Sequence, residues 1–313
     1  MSKSKSKKKK KKMLFWEYYE EWISLYKEGS IREVTLRKYK MTLRWLKILV
    51  PKLKLKKLDR AKYQKLINKY AETHERQTTL DFHRQVKSAI IDAIEDGYLQ
   101  IDPTRKVIIK GKRPGKKKAK YLNLEELYKL IQDLNLGSNI NYDWLIYLIS
   151  KTGLRFSEAL ALTPNDFDFY KETLSVNKSW NYKSGGYFDL TKTDSSIRTI
   201  SIDSKLSLQF KELCKDLPLD KPIFIGESGN VFNSTVNDIL ERHCENAKIT
   251  NISLHGLRHT HASVLLYQGV SVSSVSKRLG HSSMATTQRV YLHIIQELEN
   301  KDKNIMLNYL SEI

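Results

Sequence analysis

The sequence predicts a mainly α-helical protein of two domains, the second of which is an α+β domain with a small antiparallel β-sheet. The chain has 313 residues, and a single hydrophobic core seldom grows beyond about 250 residues. Apolar residues recur at three- and four-residue spacing over most of the chain, which is typical of amphipathic helices. The apolar period changes to two between residues 173 and 202, so strands are expected there.

The first domain is predicted over residues 13–101 as a bundle of about four helices. Trp16, Trp22 and Trp45 are expected to pack in its core, since large aromatic side chains are mostly buried. The apolar repeats that define the helices are FWEYYEEWISLYK, TLRKYKMTLRWLKIL, DRAKYQKLINKYAE and TLDFHRQVKSAIIDAIEDGYL.

Residues 102–120, DPTRKVIIKGKRPGKKKAK, break the helical period with proline, glycine and a dense lysine run. We interpret them as a basic linker that lies along a DNA backbone, and the alternative is a solvated tether without a partner. The overall charge favours DNA contact. The residues predicted to make it are Lys112, Arg113, Lys116, Lys117, Lys118 and Lys120.

The second domain is predicted over residues 121–298. It begins with the helix YLNLEELYKLIQDL, in which Asn123 and Glu126 have capping-box spacing. Two helices in NYDWLIYLISKTGLRFSEALALTPNDF separate near Gly153. Three short strands follow, TLSVNKSW, YFDLTKT and IRTISI, with turns at KSGG and TDSS. The remaining helices are predicted at 204–216, 233–247, 255–268, 271–279, 283–296 and from about 299.

The charge of the chain indicates a polyanionic partner. Lysine and arginine number 55 against 35 aspartate and glutamate, which gives a net charge of +20. Each phosphate that a basic protein neutralises releases condensed counterions from nucleic acid. A basic membrane-surface protein is the competing interpretation, but the sequence has no apolar stretch of about 18 residues to span a bilayer and no lipidation signal.

The first twelve residues, MSKSKSKKKKKK, predict a disordered tail that adds non-specific affinity for DNA. No apolar core follows them, so they are not a signal peptide; a lysine-rich nuclear targeting signal and an expression artefact stay open. Cys214 and Cys244 form no CxxC pair. They predict neither a zinc site nor a disulfide framework, and they fit a reducing, cytoplasmic compartment.

Some polar residues lie where apolar helices would be expected to exclude them. Arg155, in TGLRFSEAL, follows a helix-ending glycine, and a buried guanidinium needs an anionic partner. Glu158 is either that partner alone or a brace that aims Arg155 at a bound phosphate. Lys192 lies where a strand enters a turn, and a hairpin tip can reach into a groove.

The stretch SLHGLRHTHASVLL places His255 and Arg258 on one helix face. His255 and His259 are four residues apart, as in a zinc hydrolase, but Gly256 stands where that motif requires glutamate. No metal site is therefore predicted. His259 and His261 are expected to serve packing and local hydrogen bonds.

The stretch LGHSS places His281 directly after Gly280, which can take the left-handed conformation that ends a helix. His281 is therefore expected at a helix terminus, pointing into a cleft. Tyr291, in VYLH, lies in an apolar stripe that by itself is typical of a core position.

The ordered set TGLRFSEAL, a lysine in a β-turn, HGLRHTHASVLL, LGHSS and VYLH resembles the tyrosine recombinases, and above all the integrases of phages and conjugative transposons of Gram-positive bacteria. The resemblance extends over residues 13–313. It implies a two-domain C-shaped clamp, with a helical core-binding domain and a catalytic domain. Many members carry a small β-rich arm-binding domain ahead of the core, where this sequence has the lysine tail, so arm-site bridging is not carried over. The implied catalytic residues are Arg155, Lys192, His255, Arg258, His281 and Tyr291, with Glu158 in the supporting acidic position.

The resemblance also implies a mechanism that needs no metal, ATP or other cofactor. Two arginines match the charge on the phosphate oxygens, and Tyr291 attacks to form a 3′-phosphotyrosine. His255 accepts the tyrosine proton, while Lys192 protonates the leaving 5′-oxygen. His281 donates a hydrogen bond to the phosphate or to the incoming tyrosine.

The implied partners are double-stranded DNA at recombination sites and a directionality factor. The implied assembly is a homotetramer in the synaptic complex and a monomer free in solution. The implied location is the bacterial cytoplasm, at the nucleoid. Residues 299–313 carry apolar side chains on a tail too short for its own core, and are expected to dock on a neighbouring protomer.

Two alternative functions stay open: a type IB topoisomerase, which shares nearly the same residue set, and a catalytically silent DNA-binding accessory protein.

Overall fold

The chain divides into two compact units, with the boundary between residues 117 and 118, inside the predicted linker. The structure, a computed structural model, describes residues 12–115, 119–183, 185–191, 194–226, 229 and 231–291. The prediction of a mainly helical chain with a small amount of antiparallel sheet is confirmed. In the described part of the chain no helix combines the length and apolarity that a membrane span requires.

Between residues 13 and 115 the first unit is built from four helices, α1 (Phe15–Tyr26), α2 (Glu33–Leu49), α3 (Arg60–Ala71) and α4 (Arg76–Glu95), with a 3-10 turn at Leu55–Lys57. Helix α3 begins where the side chain of Asp59 accepts a hydrogen bond from the backbone N–H of Lys62. The predicted core tryptophans pack as expected, since Trp22 is buried while Trp16 and Trp45 lie partly buried against the same core.

Part of the predicted linker is packed on this first unit. The side chain of Gln64 bonds both the backbone N–H and the carbonyl of Ile108, and the N–H of Lys112 donates to the carbonyl of His74. Val107 and Ile109 pack against the core. Over this part the linker is therefore an extension of the first unit rather than a free strap, because its apolar side chains have a surface to cover.

The linker residues predicted to contact DNA are divided between the two units. Lys112 and Arg113 are exposed on the first unit, and Lys120 is exposed on the second. Lys116, Lys117 and Lys118 lie outside the described residues. The DNA contact of this group stays a prediction.

Over its described residues, the second unit contains seven helices, a further helical segment at its end and five short strands. The helices are α5 (Leu124–Asp133), α6 (Tyr142–Thr152), α7 (Phe156–Leu160), α8 (Ser204–Leu213), α9 (Asn233–Asn246), α10 (Leu254–Tyr267) and α11 (Val272–Leu279). Residues 284–291 are also helical. The strands are β1 (Phe167–Asp168), β2 (Thr173–Val176), β3 (Lys178–Trp180), β4 (Phe188–Leu190) and β5 (Arg198–Ser201).

The five described strands form one antiparallel sheet of order β1-β2-β5 and one antiparallel pair, β3-β4. The sequence predicted a single strand over residues 173–180. In the structure Val176 still pairs with β5, whereas Lys178 pairs with β4. The chain leaves the sheet with β5 after Val176 and pairs with β4 from Lys178 onward, so the single predicted strand is two strands in the structure.

Helix α6 forms the centre of the second unit. Nine of its eleven residues are buried, from Asp143 to Thr152, which explains why its sequence is apolar on all faces. Helices α7, α9 and α10 contact it. The left-handed conformation of Gly153, at φ 69°, ends α6 and directs the chain into the short helix α7.

We expect substitution of Gly153 by alanine to destabilise the second unit strongly. Gly153 and Gly269 both have positive φ, which costs a non-glycine residue about 1–2 kcal/mol. An added Cβ at Gly153 would lie 2.7 Å from His261 Cδ2, whereas one at Gly269 would meet nothing within 4 Å. Gly153→Ala should therefore cost about 1–3 kcal/mol more than Gly269→Ala in urea unfolding. Equal losses would contradict the packing shown here.

Candidate active site

Arg155 is fixed at the point where α6 has ended and α7 begins. Its Nη1 lies 2.6 Å from Oε1 of Glu158, and its backbone N–H donates to Oε2 of the same carboxylate at 3.0 Å. Nη2 donates to the carbonyl of Gly280 at 3.0 Å. The Arg155 side chain keeps 35% of its surface exposed, so the guanidinium is both held in place and reachable.

Glu158 is buried and joins two arginines rather than one. Nη2 of Arg198, in β5, donates to Oε2 of Glu158 at 2.9 Å, and both side chains are nearly inaccessible. Burial alone would raise the pKa of Glu158, but the hydrogen bond and charge of Arg198, with the charge of Arg155, hold that pKa below its ordinary value. Glu158 is therefore ionised at neutral pH.

Arg198 was not identified from the sequence. It lies in IRTISI, where polar and apolar residues alternate, and an arginine at the polar position of such a strand is ordinarily solvated. Its Nε donates to the carbonyl of Arg278 and its Nη1 to that of Ser196. All three guanidinium nitrogens of Arg198 are therefore hydrogen-bonded, and Arg198 links the Glu158 carboxylate to the backbone at Ser196 and Arg278.

Arg258 is a buried cation that backbone carbonyls hold in place. Its Nη1 donates to the carbonyl of Gly153 at 2.7 Å and its Nη2 to that of Leu279 at 2.6 Å. Burial and the charge of Arg155 lower the pKa of Arg258 to about 9, so it stays protonated at pH 7. Among the described residues no carboxylate pairs directly with it.

Among the described residues, the site therefore holds the guanidinium groups of Arg155, Arg198 and Arg258 against one carboxylate, that of Glu158. A buried excess of positive charge is costly unless an anion compensates it. Planar guanidinium groups match the oxygens of carboxylates and phosphates. The electrostatics thus favour binding of a compact oxyanion.

Three histidines surround the arginines, and each is biased toward its neutral form. Burial and the charges of Arg258 and Arg155 lower the pKa of His281 to about 4 and lower that of His255 below its ordinary value. Burial and the neighbouring His255 lower the pKa of His259 to about 4. Nδ1 of His281 lies 2.7 Å from the hydroxyl of Thr287.

Tyr291 packs among apolar side chains with its hydroxyl turned toward helix α10. It is 2% exposed and contacts the cluster around Leu266 and Leu279. Its Oη lies 2.8 Å from Nδ1 of His259. Burial raises the pKa of Tyr291 to about 12, and the nearby charge of Arg258 opposes that shift.

The sequence predicts that His255 accepts the tyrosine proton and that His259 serves packing and local hydrogen bonds. In the structure His259, one helical turn further along α10, bonds the tyrosine, and His255 contacts His259 edge to face at 4.7 Å between ring centroids. His261 does serve packing and hydrogen bonding, as predicted, between Ser150 and Arg278.

The structure thus brings together Arg155, Glu158, His255, Arg258, His281 and Tyr291, which are separated by up to 136 positions in the sequence. Lys192 lies outside the described residues. The assembled site can bind an oxyanion between guanidinium groups and holds a phenol hydroxyl next to a neutral imidazole.

We expect Glu158→Gln to unfold at markedly lower urea concentration than the native protein. The uncharged amide leaves the arginines uncompensated, and breaking a buried ion pair on one side costs about 3–5 kcal/mol. The exposed pair Glu125–Lys129 offers the matched control, because Glu125→Gln should change stability by less than about 1 kcal/mol.

The difference between Glu158→Gln and the native protein should depend on pH. Since the folded pKa of Glu158 is depressed, its contribution is present above the unfolded value of 4.5 and is lost as the pH falls through the folded pKa. The two unfolding curves should therefore approach each other in acid. A gap that widens in acid would contradict the ion pair.

Comparison with known proteins gives one family and several relatives. The model of the phage integrase family matches residues 120–297. The integrase of Staphylococcus phage L54a is 28% identical over 204 residues, which cover 58% of this chain and 57% of that protein. The ICEBs1 integrase of Bacillus subtilis is 32% identical over 207 residues, covering 61% of this chain and 54% of that protein. The chain spans somewhat more than half the length of these two relatives.

Solved structures share the fold at lower identity. A structure of the Tn1549 transposon integrase in complex with a circular intermediate DNA superposes with a TM-score of 0.73 at 18% identity, covering 88% of this chain and 94% of that chain. A lambda integrase dimer bound to a core site gives a TM-score of 0.67 at 15% identity, covering 92% of this chain and 80% of that chain.

Proposed function

The chain belongs to the phage integrase family, and from this premise we propose that it is a tyrosine-type site-specific recombinase. It cleaves and rejoins DNA strands through a 3′-phosphotyrosine intermediate, and so integrates or excises a mobile element. The observation that carries this proposal is the convergence of two guanidinium groups: Arg155 and Arg258 bond the adjacent carbonyls of Gly280 and Leu279, and Arg258 lies near enough to Tyr291 to influence its pKa.

The substrate that we propose is double-stranded DNA, with one backbone phosphate at the arginine cluster. The net charge of +20 suits a polyanion. The Tn1549 and lambda integrases were both solved with DNA, which supports the same class of partner here. Lys112, Arg113 and the lysines at 116, 117, 118 and 120 would add contacts to the backbone.

The arginines would act on the charge that builds up as the phosphodiester is attacked. A guanidinium has five N–H donors, and the bonds of Arg155 to Glu158 and Gly280 and of Arg258 to Gly153 and Leu279 leave other donors for the non-bridging oxygens. Because the carbonyls and Glu158 already hold both groups, little reorganisation is needed in the transition state. His281 would add a hydrogen bond to the phosphate or to the tyrosine.

Cleavage would proceed with the phenol oxygen of Tyr291 forming a bond to phosphorus while the bond from phosphorus to the 5′-oxygen breaks. The family resemblance assigns Lys192 as the general acid that protonates the leaving oxygen. It assigns His255 as the group that accepts the phenolic proton of Tyr291. Rejoining reverses these steps with the 5′-hydroxyl of a second strand.

Recombination would take place in a tetramer that brings two duplexes together, with a free monomer in solution and a directionality factor as an additional partner. Within this proposal residues 299–313 dock on a neighbouring protomer. They lie outside the described residues, and the proposal rests on the apolar Ile305, Leu307 and Leu310 in a short tail.

The first prediction for this activity concerns Tyr291. On a nicked DNA substrate that carries the junction flanking the gene, the native protein should form a covalent, protease-sensitive adduct, and Tyr291→Phe should form none because it lacks the attacking oxygen. Tyr128 is 60% exposed on α5, and Tyr128→Phe should react like the native protein. An adduct with Tyr291→Phe would refute the assignment.

A second assay separates recombination from the activity of a type IB topoisomerase. The native protein should join two DNA molecules that each carry the junction site. Relaxation of supercoils with no exchange between sites would favour the topoisomerase instead. Absence of any adduct from the native protein would favour a DNA-binding accessory protein.

Deletion of residues 299–313 should abolish synapsis while single-site binding persists. Synapsis needs contacts between protomers, whereas binding to one site does not. Gel-shift assays with one and two sites measure both quantities on the same protein. Recombination at the native rate by the shortened protein would contradict the docking of the tail.

A further inference from the structure

We propose that His259 is a catalytic residue that accepts the phenolic proton of Tyr291 when the DNA strand is cleaved. The inference rests on the proposed recombinase function and deepens it. It transfers to His259 a role that the family resemblance had given to His255.

The contact between the two groups is direct. Nδ1 of His259 and Oη of Tyr291 lie 2.8 Å apart, within the reach that proton transfer requires. In the tautomer with its proton on Nε2, Nδ1 carries a lone pair and the phenol O–H donates to it. No rearrangement is needed to start the transfer.

The burial of Tyr291 makes a protein base necessary. The residue is 2% exposed, and its hydroxyl faces an imidazole rather than bulk water. A buried phenolate without a partner is strongly disfavoured, as the elevated pKa of about 12 indicates. Water cannot take the proton readily at this position.

The other two histidines are less well placed for this step. His255 contacts His259 through its ring and lies beside Arg258, so it suits a hydrogen bond to the phosphate. Nδ1 of His281 is already engaged by Thr287. His259 is fixed within helix α10, which packs on the central helix α6, and its geometry is therefore stable.

The charges around His259 suit a base that becomes active when substrate binds. Burial lowers the pKa of His259 most, and His255, Arg258 and Lys120 add to this effect, so the ring is neutral in the free protein and able to accept a proton. A phosphate that enters the site brings negative charge, which opposes these cations and raises the affinity of the ring for a proton. DNA binding would thus strengthen the base.

Strand cleavage moves one proton from Tyr291 to His259. The phenol O–H bond of Tyr291 breaks and an N–H bond forms on His259. The phenol oxygen bonds to phosphorus, the bond to the 5′-oxygen breaks, and that oxygen takes a proton from the general acid. Strand joining returns the proton from His259 to Tyr291.

The test measures the cleavage rate of His259→Asn on the nicked substrate. Asparagine presents an acceptor oxygen near the position of Nδ1 but cannot take up a proton, so cleavage should slow by about 10²–10⁴-fold. Gel-shift binding to DNA verifies that the variant is folded. His259→Gln, measured in the same way, provides a second variant in case the first does not fold.

A more acidic phenol separates catalysis from a structural role. Replacing Tyr291 by a fluorinated tyrosine lowers the pKa of the phenol, so the loss of its proton depends less on a base. In the His259→Asn background this replacement should speed cleavage at least about tenfold, since general-base catalysis contributes about 10²–10⁴-fold. Arg155→Lys, in which we expect weaker phosphate binding because lysine lacks the forked donors of arginine, should gain no such recovery.

The outcomes distinguish this inference from the function on which it rests. Cleavage by His259→Asn at the native rate, or a slow variant that the fluorinated tyrosine does not rescue, would overturn the role of His259 alone. Failure of the native protein to form an adduct would overturn the recombinase function itself.

Discussion

The carboxylate of Glu158 is the interaction on which the site depends. Like charges repel, and bringing two guanidinium groups into a buried position requires an anion between them. Glu158 lies between Arg155 and Arg198 and bonds both. It also accepts the backbone N–H of Arg155. One acidic residue thereby fixes the start of α7, the first residue of strand β5 and the side chain of Arg155.

The remaining positive charge is stabilised by helix ends rather than by carboxylates. Arg258 bonds the carbonyl of Gly153, where α6 ends, and that of Leu279, where α11 ends. The carboxyl end of a helix carries unsatisfied carbonyls and a partial negative charge. Such partners hold a cation in place without neutralising it. The glycines at 153 and 280 are needed because a left-handed residue ends each helix.

The neutral groups of the site complement this arrangement. Burial, with the charges of nearby arginines, lowers the pKa of His255, His259 and His281, so the neutral imidazoles can accept or donate hydrogen bonds without adding to the repulsion. Tyr291 is protonated and shielded from solvent. Under the proposed function, the free protein is a resting state in which the attacking tyrosine is held as a phenol, and binding of a phosphate would shift the charge balance of the neighbouring groups.

Much of the fold and of the site followed from the sequence alone. Local patterns reported the helices, the break at Gly153, and the pairing of Arg155 with Glu158, because these depend on residues within about one helical turn. Tertiary structure decided that Arg198 joins the same carboxylate and that His259, rather than His255, meets Tyr291. Those contacts link segments 30 or more residues apart. Periodicity indicates which face of a helix or strand is buried, and only the packing of one element on another determines what that face touches.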